Sequence, residues 1–438
     1  MELRARLHAE IRDRAAQGRA ADVGALDAEL AALPDSWDAL LEFGERLAAL
    51  PMRDDWAYDE PDDLDGIRAA ADRGRSLSAV AVTDAGARAE AAFLGSVCGC
   101  ILGKPFEIDP TLAELRAALE PAGDWPLRDY PTEAVVLSLR EQQPQWPELV
   151  RGRIRHVAPD DDINYTVLGM LALEQHGVAF TRDDLLMLWM YNLPLLATFG
   201  PERTLLANAA LAALEPVVAR PWPLDRWVQV RNPGSELCGA LIRADAYGYA
   251  CLGDPEQAAG MAWRDAGMTH RGTGLYGAMF VAAAIAVAPL VQDPLEVFAT
   301  ALRYIPQRSR FAEAVTFALE QVAAASDWLD GYERIHARYG EFGHCRILQE
   351  VGTLVNTLRF AEDVGDGICK QVMQGNDTDS FGATAGSILG AYFGPNHLDA
   401  RWTEPFRDTI HLALAACWET SLSALAARMG QLPALTGH

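Results

Sequence analysis

The sequence is poor in what several broad protein classes require. No long alternating run of β-branched residues is present, so there is little from which to build a sheet. Positive charge is scarce: 37 Lys and Arg stand against 61 Asp and Glu, for a formal net charge of −24. So acidic a chain lacks the basic face that phosphate backbones and anionic membranes attract, which argues against nucleic acid and membrane surfaces as main partners. No cysteine stands in a CxxC pair. The seven cysteines are an odd number, most of them in apolar surroundings, and they read as reduced core residues of a cytoplasmic protein. The N-terminal stretch MELRARLHAEIRDRAAQ is charged and has no apolar core of the signal-peptide kind. The longest apolar run, Ala278 to Val291, is too short for a membrane span and carries Pro289 near its end, so a buried helix is expected there. No convincing Ser/His/Asp set or zinc-ligand cluster appears either.

What is present is helix. Hydrophobic residues make up 50% of the chain, alanine is abundant, and the apolar positions recur mostly at helical spacing. At 438 residues the chain can bury one large core or two smaller ones. The expected class is all-α, with residues 1–88 as an N-terminal helical extension packed on a main domain at 89–438. In the extension, Pro34-Asp35-Ser36 signals a helix start, Trp37 to Leu50 is amphipathic, and Pro51 stops it. An acidic connector follows, from Arg53 to Asp65. From Ala89 a helix carries Gly95, Gly99 and Gly103 four apart, and a later one repeats the device at Gly382, Gly386, Gly390 and Gly394. Glycine inside a helix costs about 1 kcal/mol relative to alanine. Two such faces therefore predict that the helices Ala91 to Gly103 and Gly382 to Gly394 are buried, each with its glycines against another backbone. Residues 121–150, rich in Pro and Trp, are expected to form a surface loop.

The chemistry concentrates in two acidic stretches. Gly375-Asn376-Asp377-Thr378-Asp379-Ser380-Phe381-Gly382 sets two carboxylates two positions apart, followed by a hydroxyl, at a tight turn that opens an apolar helix. Short oxygen donors in that pattern suit a hard divalent cation such as Mg²⁺ or Mn²⁺. A phosphatase nucleophile would follow a hydrophobic strand, and Lys370 to Gly375 is too polar for one. A calcium loop fails because Phe381 holds the next ligand place. The second stretch, Asp160-Asp161-Asp162-Ile163-Asn164-Tyr165-Thr166, crowds three carboxylates onto a helix start where a cap needs only one. Each stretch also has a plain alternative, since Asp and Ser are ordinary capping residues. His270, between small residues at a helix end, either contacts a ligand phosphate or ribose or is simply held by hydrogen bonds.

Four stretches, in this order, resemble the ADP-ribosylglycohydrolase family, which includes the dinitrogenase reductase-activating glycohydrolases. GSVCGCILGKPFEI at 95–108 is similar to the family's opening glycine helix, and DDDINYT at 160–166 to its Thr-Asp-Asp-Thr-Gln-Met-Thr. CGALIRADAYGYACLGDPEQAAGMAWRDAGMTH at 238–270 is similar to its Gly-Ala-x-x-Arg helix and Asp-Ala-x-x-Thr-His segment, and GNDTDSFGATAGSILGAYFG at 375–394 to its Gly-Asp-Thr-Asp-Thr signature. The resemblance implies a compact all-α domain with two divalent cations, Mg²⁺ or Mn²⁺, between the acidic motifs. By position the metal ligands would be Asp160, Asp161, Asp162, Asp377, Asp379 and Ser380. Glu107 matches the glutamate that approaches ribose and metals, while Gly239, Ala240 and His270 match residues lining ribose and diphosphate. The chain departs from the pattern at four places: Asp160 and Ile163 replace the two threonines of the first motif, Cys100 stands where many relatives carry Asp, and Lys104 where they carry a small residue.

The expected function is a metal-dependent hydrolase that cleaves an ADP-ribosyl or related ribosyl bond, with Glu107 and one of Asp161 or Asp379 in the proton-transferring roles. The substrate expected is a small ADP-ribosyl or ribosyl molecule, or an ADP-ribosylated protein. Two alternatives stay open: a hydrolase or lyase of a nucleoside or nucleotide, and a catalytically silent ligand-binding relative.

Overall fold

Short polar side chains set where the helices begin. Ser36 Oγ accepts the Ala39 N–H at 3.4 Å, Asp63 Oδ1 the Gly66 N–H at 2.8 Å, and Asp254 Oδ1 the Gln257 N–H at 3.0 Å. Thr111 and Glu114 form a reciprocal capping box ahead of the helix Leu112–Ala122. The computed structural model describes residues 3–72, 78–108, 110–213 and 224–436, and among these there are helices and isolated bridges but no strand. The all-α class holds.

The two glycine helices, Ala85–Gly103 and Thr378–Phe393, pack against each other, antiparallel and backbone to backbone. A Cβ placed on Gly382 would lie 2.5 Å from Gly99 O, and one on Gly390 the same distance from Ala91 O. Cβ atoms on Gly95, Gly99 and Gly386 would run into the carbonyls of Gly386, Gly382 and Gly95 more closely still. The glycine faces thus meet one another. Gly394 differs from the rest of its series: it lies past the helix end at φ +79° and meets the Arg88 side chain, not a backbone.

Asp245 sits beneath this pair and ties it together, accepting from Ser387 Oγ at 2.5 Å and from Ser96 Oγ at 3.4 Å. Burial raises its carboxyl to about 7, although the three hydroxyls of Ser387, Ser96 and Tyr249 act in the other direction. Beside it, every residue of the helix Gly272–Val287 is buried. The helical stretches Gly272–Leu290 and Ala85–Phe106 are long and apolar enough to cross a membrane, yet both are mostly enclosed by the rest of the protein.

In the N-terminal segment the helices Leu3–Ala16, Val23–Ala32 and Trp37–Ala48 enclose a small core of their own, made of Leu7, Ile11, Leu30, Leu40, Phe43 and Leu47. Residues 1–2 and 73–77 of this segment, and 109, 214–223 and 437–438 of the remainder, lie outside the described residues. The segment is fastened to the rest through polar contacts: Gly234 N donates to Asp13 Oδ2 at 2.7 Å, and Gly272 N to Asp62 Oδ1 at 2.9 Å. Arg310 pairs with both Glu60 and Glu236, at 2.9 and 2.6 Å. Ile67, by contrast, belongs to the main core.

Residues 121–150 differ from the loop expected of them. Glu133–Ser138 is helical, and Leu127, Tyr130, Val135, Val136 and Leu149 are buried. Proline and tryptophan mark chain reversals there, but the aliphatic residues between them still reach the core.

Two outcomes are expected. Gly386→Leu should lower stability by about 1–3 kcal/mol or more, because the side chain must displace a backbone in a dense core; thermal or denaturant melts measure it. For Asp245, the unfolded carboxyl loses its proton near the ordinary 3.8 and the native one near 7. Stability should therefore fall as pH rises from about 4 to about 7 and level off above, by up to about 4 kcal/mol for the full shift. Asp245→Asn should flatten that slope and melt higher than the wild type at pH 8, which melts at pH 5 and pH 8 check.

Candidate metal centre

The first acidic motif is held by its own helix. Asp160 caps Asp161–His176, its Oδ1 accepting the Asp162 N–H at 2.9 Å, so all three carboxylates lie at the positive end of a helix dipole. Asp160 and Asp162 are buried, while Asp161 is partly exposed. Thr166, on the same helix face as Asp162, donates to the Asp162 carbonyl at 3.1 Å and so faces its own helix.

The second motif starts from a turn in which Gly375 and Asn376 both have positive φ, +81° and +61°. Glycine and asparagine tolerate that region, and the turn is pinned where Asn376 N donates to Pro110 O at 2.9 Å. The helix Thr378–Phe393 follows, with Thr378 Oγ1 donating to Gly103 O at 2.9 Å. That bond locks the start of the second glycine helix onto the end of the first.

The two motifs meet directly. Ser380 Oγ donates to Asp162 Oδ2 at 3.3 Å, across 218 residues of sequence. The other oxygen, Asp162 Oδ1, is buried and has no hydrogen-bond partner. Asp379 Oδ1 accepts its neighbour's Ser380 N–H at 3.0 Å. Asp377 turns elsewhere: its Oδ2 accepts from Cys345 Sγ at 2.9 Å and from Cys238 Sγ at 3.2 Å, and its N–H donates to Glu350 Oε1 at 3.0 Å.

Just past Gly103, Lys104 brings an ammonium into the cluster. Its Nζ pairs with Asp160 Oδ2 and lies 3.8 Å from Glu107 Oε2. Burial tends to lower Lys104, but Asp160 and Asp379 outweigh it and hold the ammonium protonated. Asp160 is likewise pushed up by burial and brought below the usual carboxylate range by Lys104. Lys104 also draws down Asp161, Asp379 and Glu107, but not enough to offset burial and the neighbouring acids. Burial and then Asp160 raise Asp161 and Asp162, and burial with Glu107 and Asp160 raises Asp379. Glu107, partly exposed, is raised by burial against the pull of Lys104. A surplus of oxygen donors, one of them without a partner, fits a hard divalent cation.

The residues expected along ribose and diphosphate lie in a different setting. Arg243, fully buried, pairs with Glu202 at 2.6 Å and with Asp265, and donates to Thr269 Oγ1 at 2.6 Å and Gly239 O at 2.8 Å. Gly239 is partly exposed against Glu202. Ala240 and His270 are buried, and His270 Nδ1 lies 2.8 Å from Thr269 Oγ1. Burial, then Arg243 and Arg271, push the imidazole down, so His270 is neutral. Its Nε2 is buried without a partner.

The fold therefore gathers Glu107, Asp160, Asp161, Asp162, Asp379 and Ser380, with Asp377 adjoining through its thiols and His270 set beneath Arg243. Sequence reading missed Glu350, Cys238 and Cys345 beside Asp377, none of which stands in a pattern of its own. Lys104 did carry a signal, as a charged residue where the family pattern has a small one. A hollow lined by Leu64, Arg68, Asp254 and Gln257 among others contains none of the expected site residues.

No curated protein sequence matches the chain. A solved structure described as an "ADP-ribosylglycohydrolase-related protein complex" is similar, at 19% identity over 80% of this chain and 100% of its own, with a TM-score of 0.48. The family model for ADP-ribosylglycohydrolase matches residues 81–434, from before the first glycine helix to the C-terminal helices. With both acidic motifs and both glycine helices inside that match, the chain belongs to the ADP-ribosylglycohydrolase family.

Proposed function

We propose that this protein is a hydrolase dependent on Mg²⁺ or Mn²⁺ that cleaves an ADP-ribosyl or related ribosyl glycosidic bond at the cluster around Asp162. The observation that carries the reading is the meeting of Ser380 with Asp162 at 3.3 Å, beside a buried Asp162 oxygen that has no partner. Asp161, Asp162, Asp379 and Ser380 would hold the cation, with Asp377 at the edge of the set. When bound, such a cation orients ribose hydroxyls and lowers the pKa of water.

The protein's own groups divide the remaining work. Ribosyl cleavage develops positive charge on the sugar ring, which the carboxylates gathered about the cation would help to offset. Glu107 stands partly exposed on a turn that ends a helix, with its carboxyl raised by burial. There it can take a proton from water or return one to the leaving group, since a raised carboxyl is suited to both. Lys104, 3.8 Å away, keeps the ionised form of Glu107 accessible. Burial of Ala240 and His270 favours a second reading, in which the substrate extends little beyond one ribose.

Product analysis with ADP-ribosylated peptides, ADP-ribose conjugates and nucleotides, each with Mg²⁺, Mn²⁺ or chelator, tests both readings. Release of ADP-ribose that chelator abolishes supports the first, cleavage confined to nucleotides the second, and no metal-dependent cleavage of any of them removes both. Glu107→Gln should retain metal binding but lower turnover by about 100-fold or more; unchanged turnover would take Glu107 out of the reaction. Metal at roughly a hundredfold above its dissociation constant should stabilise the fold by about 2.7 kcal/mol. Asp161→Ala and Asp379→Ala should each remove most of that gain, and their effects should not add, because both act through one site. Melts of wild type, both single variants and the double variant, with metal or EDTA, measure this.

A further inference from the structure

We propose that the Lys104 ammonium holds the place of a second cation, so that the centre takes one divalent ion per chain and not two. The inference rests on the metal-dependent reading above and narrows it. Lys104 is buried, with a side chain only 7% exposed, so its charge cannot swing out to water. It is clamped between Asp160 on one side and Glu107, 3.8 Å away, on the other.

The carboxylate that Lys104 takes is thereby occupied. Asp160 Oδ2 is bound by Nζ, and Asp160 Oδ1 accepts the Asp162 N–H at 2.9 Å as a helix cap. Asp162 and Ser380, by contrast, still offer an unpartnered oxygen and a hydroxyl. The cluster thus divides into a half already neutralised by an ammonium and a half still short of positive charge. Paired catalytic metals sit about 3.5–4 Å apart. A second divalent ion at that spacing would have to lie against a fixed ammonium, in a partly dry site where like charges repel strongly.

The residue type agrees with this role. The chain contains only two lysines, Lys104 and Lys370, and otherwise uses arginine. An ammonium is a compact point charge with donors pointing in several directions, which a planar guanidinium is not. It can therefore stand among oxygen ligands much as a small cation does. Two of the four positions at which this chain departs from the family pattern, Lys104 and Asp160, are bonded to each other.

Calorimetric titration of the full chain with Mn²⁺, together with electron paramagnetic resonance of the loaded protein, tests the inference. The wild type should bind one Mn²⁺ per chain and give the resolved hyperfine pattern of an isolated ion. Lys104→Met, which keeps the stem and removes the charge, should bind two and show the broadened spectrum of an exchange-coupled pair. Two equivalents in the wild type, with activity abolished by chelator, would overturn the inference and leave the metal-dependent reading standing. A folded Lys104→Met that still binds one would also overturn it. No binding by the wild type, with activity indifferent to chelator, would overturn both. Should Lys104→Met fail to fold, the wild-type stoichiometry and spectrum decide the matter without it.

Discussion

Two helix backbones can touch only along faces that carry no side chains, and that requirement governs the geometry of this protein. The glycines of Ala85–Gly103 and Thr378–Phe393 each cost about 1 kcal/mol in helix propensity, which carbonyl-to-Cα packing along the shared face offsets. Because the pair is antiparallel, the end of the first helix abuts the start of the second, and Thr378 Oγ1 bonds to Gly103 O at 2.9 Å. Lys104 and Glu107, just beyond Gly103, are thereby delivered to Asp379 and Ser380. A register shift along the glycine face would separate them.

Buried acids are costly, and this chain deals with them in three ways. Asp245 keeps its proton to about pH 7 and is held by serines from both glycine helices. Glu202 and Asp265 share the buried Arg243, which also fixes Gly239 and Thr269. The Asp160–Asp162 and Asp379 carboxylates have two helix starts and one ammonium among them, and that leaves negative charge uncompensated. In the first two arrangements each acid has a hydroxyl or a guanidinium as its partner, although one Asp245 oxygen stays unbonded. The third gathers several carboxylates about a single ammonium, which distinguishes it from the other two buried networks.

Asp377 and Asp379 show how finely packing divides neighbouring residues. They belong to one motif, two positions apart, yet Asp377 faces the thiols of Cys238 and Cys345 while Asp379 faces the acids across from it. The turn at Gly375 and Asn376 explains the divergence, since Asp377 precedes the helix and Asp379 lies within it. The left-handed backbone at Cys345, φ +62°, helps to bring its thiol to Asp377.

Properties set by local spacing were legible in the sequence. The helical period fixes which residues share a face, so the all-α class, the burial of both glycine helices and the crowding of Asp160, Asp161 and Asp162 at one helix start could all be read from it. Turn chemistry placed Asp377 and Asp379 at the opening of a helix for the same reason. What no local rule could supply was the identity of each group's partner. That Gly99 meets Gly382, that Ser380 reaches Asp162, that Asp377 turns to two cysteines, and that Lys104 takes Asp160 are all decided by how distant segments pack. The aliphatic residues of 121–150 were misjudged on the same account, because proline and tryptophan report the local backbone and not what it leans against. A residue's own face follows from its immediate neighbours, whereas its contacts follow from the whole core, and only the tertiary structure contains that.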